Sequence, residues 1–166
     1  MTCRPITRPP SPRPRRTPGS TPVGRGKAFD ASSLAPARHP TEYQMCSGDM
    51  LAPIGAGDAA MRGALYSMEI PTTVGGSLAE IGAKSSLAFD RLDANGKEMW
   101  QAEQRSQLSK MYPDVAAEMA KVDALVAKAD PEVAKALAEH GFFNATVCAL
   151  LITHANRMAA RQAMGS

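Results

Sequence analysis

The chain is short of aromatic residues, which make up 5% of its 166 positions: one Trp, three Tyr and four Phe. The strands of a β-sandwich lean on aromatic and β-branched side chains, so this shortage argues against an all-β fold. Ala, Leu and Met do the apolar work instead, and they favour helices. Cysteine is sparse as well. Cys3, Cys46 and Cys148 lie far apart, with neither the close spacing of a zinc knuckle nor a redox C-x-x-C, and an odd count argues against a disulfide scaffold. The expectation is reduced thiols in a reducing intracellular compartment, with Cys148 a buried and inert one. Long apolar runs are also missing. The longest uncharged stretch of the apolar region, 141–156, is interrupted by Asn144, Thr146, Thr153 and His154. A bilayer span needs about 20 mostly apolar residues, so no transmembrane helix is expected.

Acidic residues are absent from positions 1–29, which carry seven basic ones: Arg4, Arg8, Arg13, Arg15, Arg16, Arg25 and Lys27. The rest of the chain holds twelve basic residues against sixteen acidic, a net charge of −4. A basic arm is thus joined to a mildly acidic body, and the overall +3 belongs to the arm. Seven prolines between Pro5 and Pro22 prevent a continuous helix there. Three readings of the arm follow. It is a disordered extended tail, a transit peptide of plastid or mitochondrial type spanning 1–29, or an electrostatic arm for nucleic acid. Before Phe29 no aromatic offers a base a stacking platform. From Asp30 to Gly55 the chain stays irregular, punctuated by Pro36, Pro40 and Pro53, as a linker or a segment lying on the body. The expected organisation is an arm and linker over 1–55 and a helical domain over 56–166.

The body reads as a small all-α bundle of five or six helices. The first starts near Asp58, with Met61, Leu65 and Met68 at helical spacing, and ends at Pro71. Ser77-Leu78-Ala79-Glu80 fits a capping box for the second, and Asn95-Gly96 fits its stop. A third spans 97–111. The fourth, 114–128, carries Val115, Met119, Val122 and Val126 on one stripe. The fifth opens with Asp130 as cap, Pro131 at the first helical position and Glu132 in the positive first turn, and closes at His140-Gly141. The last begins near Phe143 or Asn144 and reaches Ala163, with Phe143, Val147, Leu150, Leu151, His154 and Met158 on its main stripe. Its apolar girth places it at the centre of the fold or at an oligomer interface, with Leu150 and Leu151 buried. An echo between 113–122 and 131–140 reflects shared capping chemistry rather than a repeat array.

Four groups of residues bear on chemistry. The segment FDRLDANG, 89–96, resembles the entering half of an EF-hand. The resemblance makes Asp93 and Asn95 the first and third calcium ligands, but Lys97, Glu98 and Gln104 then stand where a ligand, a turn glycine and a bidentate glutamate are required. Residues 133–150 resemble a helix-turn-helix, yet the second helix offers Val147, Cys148, Ala149 and Leu150 where base-reading polar side chains belong. His140 and His154, with Glu139 and Cys148, are the candidates for a metal or cofactor site between helices; they stand 14 positions apart without an E-x-x-H. Ten methionines serve as core and interface filler. Asn144-Ala145-Thr146 matches a glycosylation acceptor but falls at an expected buried helix. There is no G-x-S-x-G, and Gly75-Gly76 lacks the Lys-Ser/Thr of a P-loop.

The expectation is therefore a non-enzymatic accessory or structural subunit. It acts through protein–protein contacts, with a protein partner or its own copy, along Phe143, Val147, Leu150, Leu151 and Met158. No cofactor, metal or small-molecule substrate is expected. The alternatives are a nucleic-acid binder or regulator using the arm and the helix-turn-helix-like segment, and a small cofactor binder centred on His154.

Overall fold

The computed structural model describes residues 35–45 and 48–165. The arm over 1–29, Cys3 and Cys46 lie outside the described residues, and with them every reading of the arm as tail, transit peptide or nucleic-acid contact. What is described is all-α. After a 3-10 turn at Pro40–Glu42 come α1 (Gly48–Leu51), a second 3-10 turn (Ala52–Ile54), α2 (Asp58–Ser67), α3 (Thr72–Asp90), α4 (Ala94–Met111), α5 (Val115–Val126), α6 (Pro131–Glu139) and α7 (Ala145–Met164). One isolated antiparallel bridge joins Pro36 to Pro71, and no strand forms among the described residues.

Local chemistry sets most helix starts. Asp93, Asp114, Asp130 and Asn144 each stand at an N-cap and accept backbone N–H groups from the first turn, at 2.7 Å from Gly96, 3.0 Å from Ala117, 2.9 and 3.2 Å from Glu132 and Val133, and 2.8 Å from Val147. Each satisfies a donor that the helix leaves without an internal partner. Helix α2 ends in a Schellman motif: Ile70 N–H donates to Leu65 O and Glu69 N–H to Tyr66 O, both at 3.0 Å. The left-handed position of that motif, usually glycine, is Glu69, at φ 57°.

Two expected boundaries are corrected. Helix α3 begins at Thr72, with Pro71 as N-cap, so Ser77 and Glu80 lie inside the helix and form no capping box. Glycine costs a helix about 1 kcal/mol relative to Ala, yet Gly75 and Gly76 lie inside α3. Packing overrides that cost. A Cβ on Gly75 would stand 2.6 Å from the Tyr43 ring, and one on Gly82 would stand 2.2 Å from the Phe142 ring. Bare backbone at these positions lets two buried rings lie against α3. At its other end, α3 stops at Asp90, and Asn95-Gly96 opens α4 instead of closing the preceding helix. The side chain of Asp93, three residues before Gly96, captures the glycine N–H and starts the new helix.

The core also starts earlier than residue 56. Tyr43 and Leu51 are fully buried, and the Tyr43 hydroxyl donates to Ile70 O at 2.6 Å. Of the two readings of the irregular segment, its described part lies on the body. Around it gather Met61, Leu65, Ile70, Leu78, Phe142, Val147, Leu151 and Ile152 in one cluster. Helix α7 packs on α3, α4 and α5, which makes it the central element. By contrast α4 buries only Leu108 and is otherwise tied by Trp100, edge-on to Phe89 at 4.9 Å between centroids. Gln104 of α4 also accepts from Ala145 N–H at 2.8 Å, a second cap on the start of α7.

Candidate functional site

The residues singled out in the sequence do not assemble into one site. His140 ends α6, where its Nδ1–H donates to the Asp90 carboxylate at 2.9 Å, tying α6 to the end of α3. His154 sits on α7, half-buried, with Nε2 at 3.2 Å from Met68 O. A carbonyl only accepts, so Nε2 carries the proton. Burial holds the His154 pKa below its ordinary value, against a smaller upward pull from the Met68 carbonyl and Glu69. The two histidines thus have different partners and functions in packing. Cys148 is buried, its thiol pushed up to about 11 by desolvation and then by Asp123, which keeps it protonated at neutral pH. No group of three or more His, Cys, Asp or Glu that could hold a metal occurs among the described residues. Asp93 is engaged as the α4 cap, and Asn95 lies in the first turn of α4, its Nδ2 directed to Met99 Sδ at 3.7 Å. They are helix-start residues and do not form the loop that the EF-hand resemblance requires.

The expected interface stripe is split by the fold. Val147 and Leu151 are fully buried within the chain and therefore unavailable to a partner. Phe143, Leu150 and Met158 are half-buried. Leu150 had been expected to be as buried as Leu151; its position one step around the helix turns it part-way to solvent. In the helix-turn-helix-like segment, Val147 and Cys148 face inward, as do Leu151 and Ile152 just beyond it, so this side of α7 belongs to the core. Among the described residues, no helix is long and apolar enough to cross a membrane.

What the structure adds is a groove between α5 and α7. Its floor is Leu125, Ala124, Ala155, Ala159 and Met158, and Lys121 and Lys128 stand at its rim, enclosing about 250 Å³. Met158 and Gln162 carry it into a second hollow of about 170 Å³, bordered by Pro36, Glu69, His154 and Arg161. Alanines at 124, 155 and 159 keep the helix surfaces low, and the longer side chains around them form the walls. Lys121 Nζ reaches Glu118 of its own helix at 2.9 Å and Asn156 of α7 at 2.7 Å, which ties α5 to α7, and Lys128 Nζ reaches Glu69, in the turn after α2, at 2.9 Å. Met158 is the residue of the expected stripe that lies in this groove. Lys121, Lys128 and Arg161 were missed because they come from separate turns of two helices, and only the α5–α7 packing brings them together.

No protein-family model, curated protein or solved structure matches the chain.

Proposed function

We propose that this chain is an accessory or structural subunit that acts through protein–protein contacts. The α5–α7 groove carries the reading. It is an apolar trough open to water, walled by two well-anchored helices, with polar groups confined to its rim. That is the anatomy of an interaction surface, in which an apolar centre is sealed by a polar margin. Both hollows are open to water, whereas small-molecule sites enclose most of their ligand, and each suits one anchoring side chain of a partner better than a cofactor. No Ser, Thr or Cys lines either hollow; their titratable groups are Lys121, Lys128, Arg161, Glu69 and His154.

The test is capture of partners from the native source with the full chain and with an Ala124→Gln/Ala159→Gln variant. Glutamine is a good helix former, so the variant fills the groove with neutral bulk while circular dichroism confirms that the fold is kept. A protein retained by the parent and lost by the variant, or self-association lost in the same way, supports the reading. Identical partners and identical molecular size for both forms overturn it.

A further inference from the structure

We infer that the α5–α7 groove takes an acidic amphipathic segment of a partner protein, an apolar side chain entering the trough with carboxylates on either side. The inference rests on the protein–protein reading above and specifies its occupant. Its ground is charge. Beyond position 29 the chain is net −4, yet the groove and its rim carry three cations, Lys121, Lys128 and Arg161, against two carboxylates, Glu69 and Glu118. A local excess of positive charge on a negative body marks the place where an acidic partner is steered and a basic one repelled. Glu118 and Glu69 compensate the two lysines, at 2.9 Å each. Arg161 has no carboxylate partner among the described residues.

The other occupants fit less well. A sequence such as positions 1–29, with seven cations and no acid, does not complement the charge of this rim. A second copy joined groove to groove by a two-fold axis would set like surfaces against each other, cation against cation. An apolar anchor flanked by carboxylates satisfies both the trough and the rim, in the manner of a helix laid in a groove.

The probes are three labelled peptides with the same leucine face, flanked by glutamate, glutamine or lysine, titrated against the full chain. The arm's cations also attract the glutamate peptide, so the deciding readout is the map of amide chemical-shift changes. The expected result has the glutamate peptide shifting amides within 121–128 and 154–162, with affinity falling about tenfold or more from low to high salt, and the lysine peptide leaving them unmoved. Lys128→Glu/Arg161→Glu, both on the surface, should reverse that preference. If glutamate and lysine peptides bind alike, if the shifts map elsewhere, or if no peptide binds, the acidic occupant is overturned. Should a native partner nevertheless be lost on Ala124→Gln/Ala159→Gln, the protein–protein reading stands without it. Light scattering that shows self-association abolished by that same variant makes the occupant a second copy and likewise overturns the inference.

Discussion

Gly82 offers a test in which local and tertiary physics oppose each other. It lies inside α3, where replacing glycine by alanine gains about 0.8–1.0 kcal/mol of helix propensity. A Cβ at that position would, however, stand 2.2, 2.4 and 2.5 Å from three atoms of the Phe142 ring. Phe142 is 1% exposed, so its ring has nowhere to retreat without disturbing the core. Overpacking of this kind costs about 1–3 kcal/mol, occasionally more, and these contacts belong at the upper end. The net expectation for Gly82→Ala is a loss of about 1–2 kcal/mol, or roughly 3–8 °C in Tm for a domain of this size. Gly63 is the control. It lies inside α2 with nothing within 4 Å of an added Cβ, so Gly63→Ala should keep the propensity term alone and stabilise by about 1 kcal/mol. Thermal and urea unfolding of both variants decide the matter. A third measurement places Gly82→Ala in a Phe142→Leu background, which removes the outer ring atoms; there the cost should shrink sharply. If Gly82→Ala raises Tm as Gly63→Ala does, α3 and Phe142 do not approach as described and the placement of the α6–α7 turn is wrong.

Three further outcomes are expected. Leu151→Ala should cost about 2–5 kcal/mol in urea unfolding through lost transfer energy and a cavity, and Leu150→Ala distinctly less, because Leu151 is fully buried and Leu150 half-buried; equal costs would contradict the orientation of α7. Tyr43→Phe should lose about 1–2 kcal/mol by leaving Ile70 O without its buried donor, and an unchanged Tm would mean that the segment around Tyr43 is not docked. His154 has a folded-state pKa below the ordinary 6.5, because burial penalises its charged form; the unfolded chain therefore takes up this proton first, so the stability contribution is full above pH 6.5 and is lost as pH falls through the depressed folded value. His154→Gln should accordingly flatten the fall in the urea midpoint just below pH 6.5, and an unaltered slope would exclude His154 as its source.

Most helix starts were legible because their causes are local. Asp114, the run Asp130-Pro131-Glu132 and Asn144 announce α5, α6 and α7 within a single turn, since a cap needs only its own side chain and the next three backbone N–H groups. The same locality misled at Ser77 and at Asn95-Gly96. Both have the composition of a boundary, but whether Gly75 ends a helix or admits a ring depends on Tyr43, and Asp93 reached Gly96 first. The apolar stripe of α7 was visible as a stripe. Its division into a buried side at Val147 and Leu151 and a half-exposed side at Leu150 and Met158 was not, because periodicity gives a face without saying what covers it.

By itself the sequence determined an all-α body, its helical segments to within a few residues at most ends, the apolar girth of the last helix and the charge contrast with positions 1–29. These follow from propensity, capping and spacing, which act over one or two turns. Tertiary structure alone decided that Tyr43 and Leu51 belong to the core, that α3 runs through Gly75 and Gly82, and that Lys121, Lys128, Met158 and Arg161 border one groove. Each of these depends on which surfaces meet across the fold, and the free energy of such a contact is set by the shape and charge of both partners, not by the residues on either side of it in the chain.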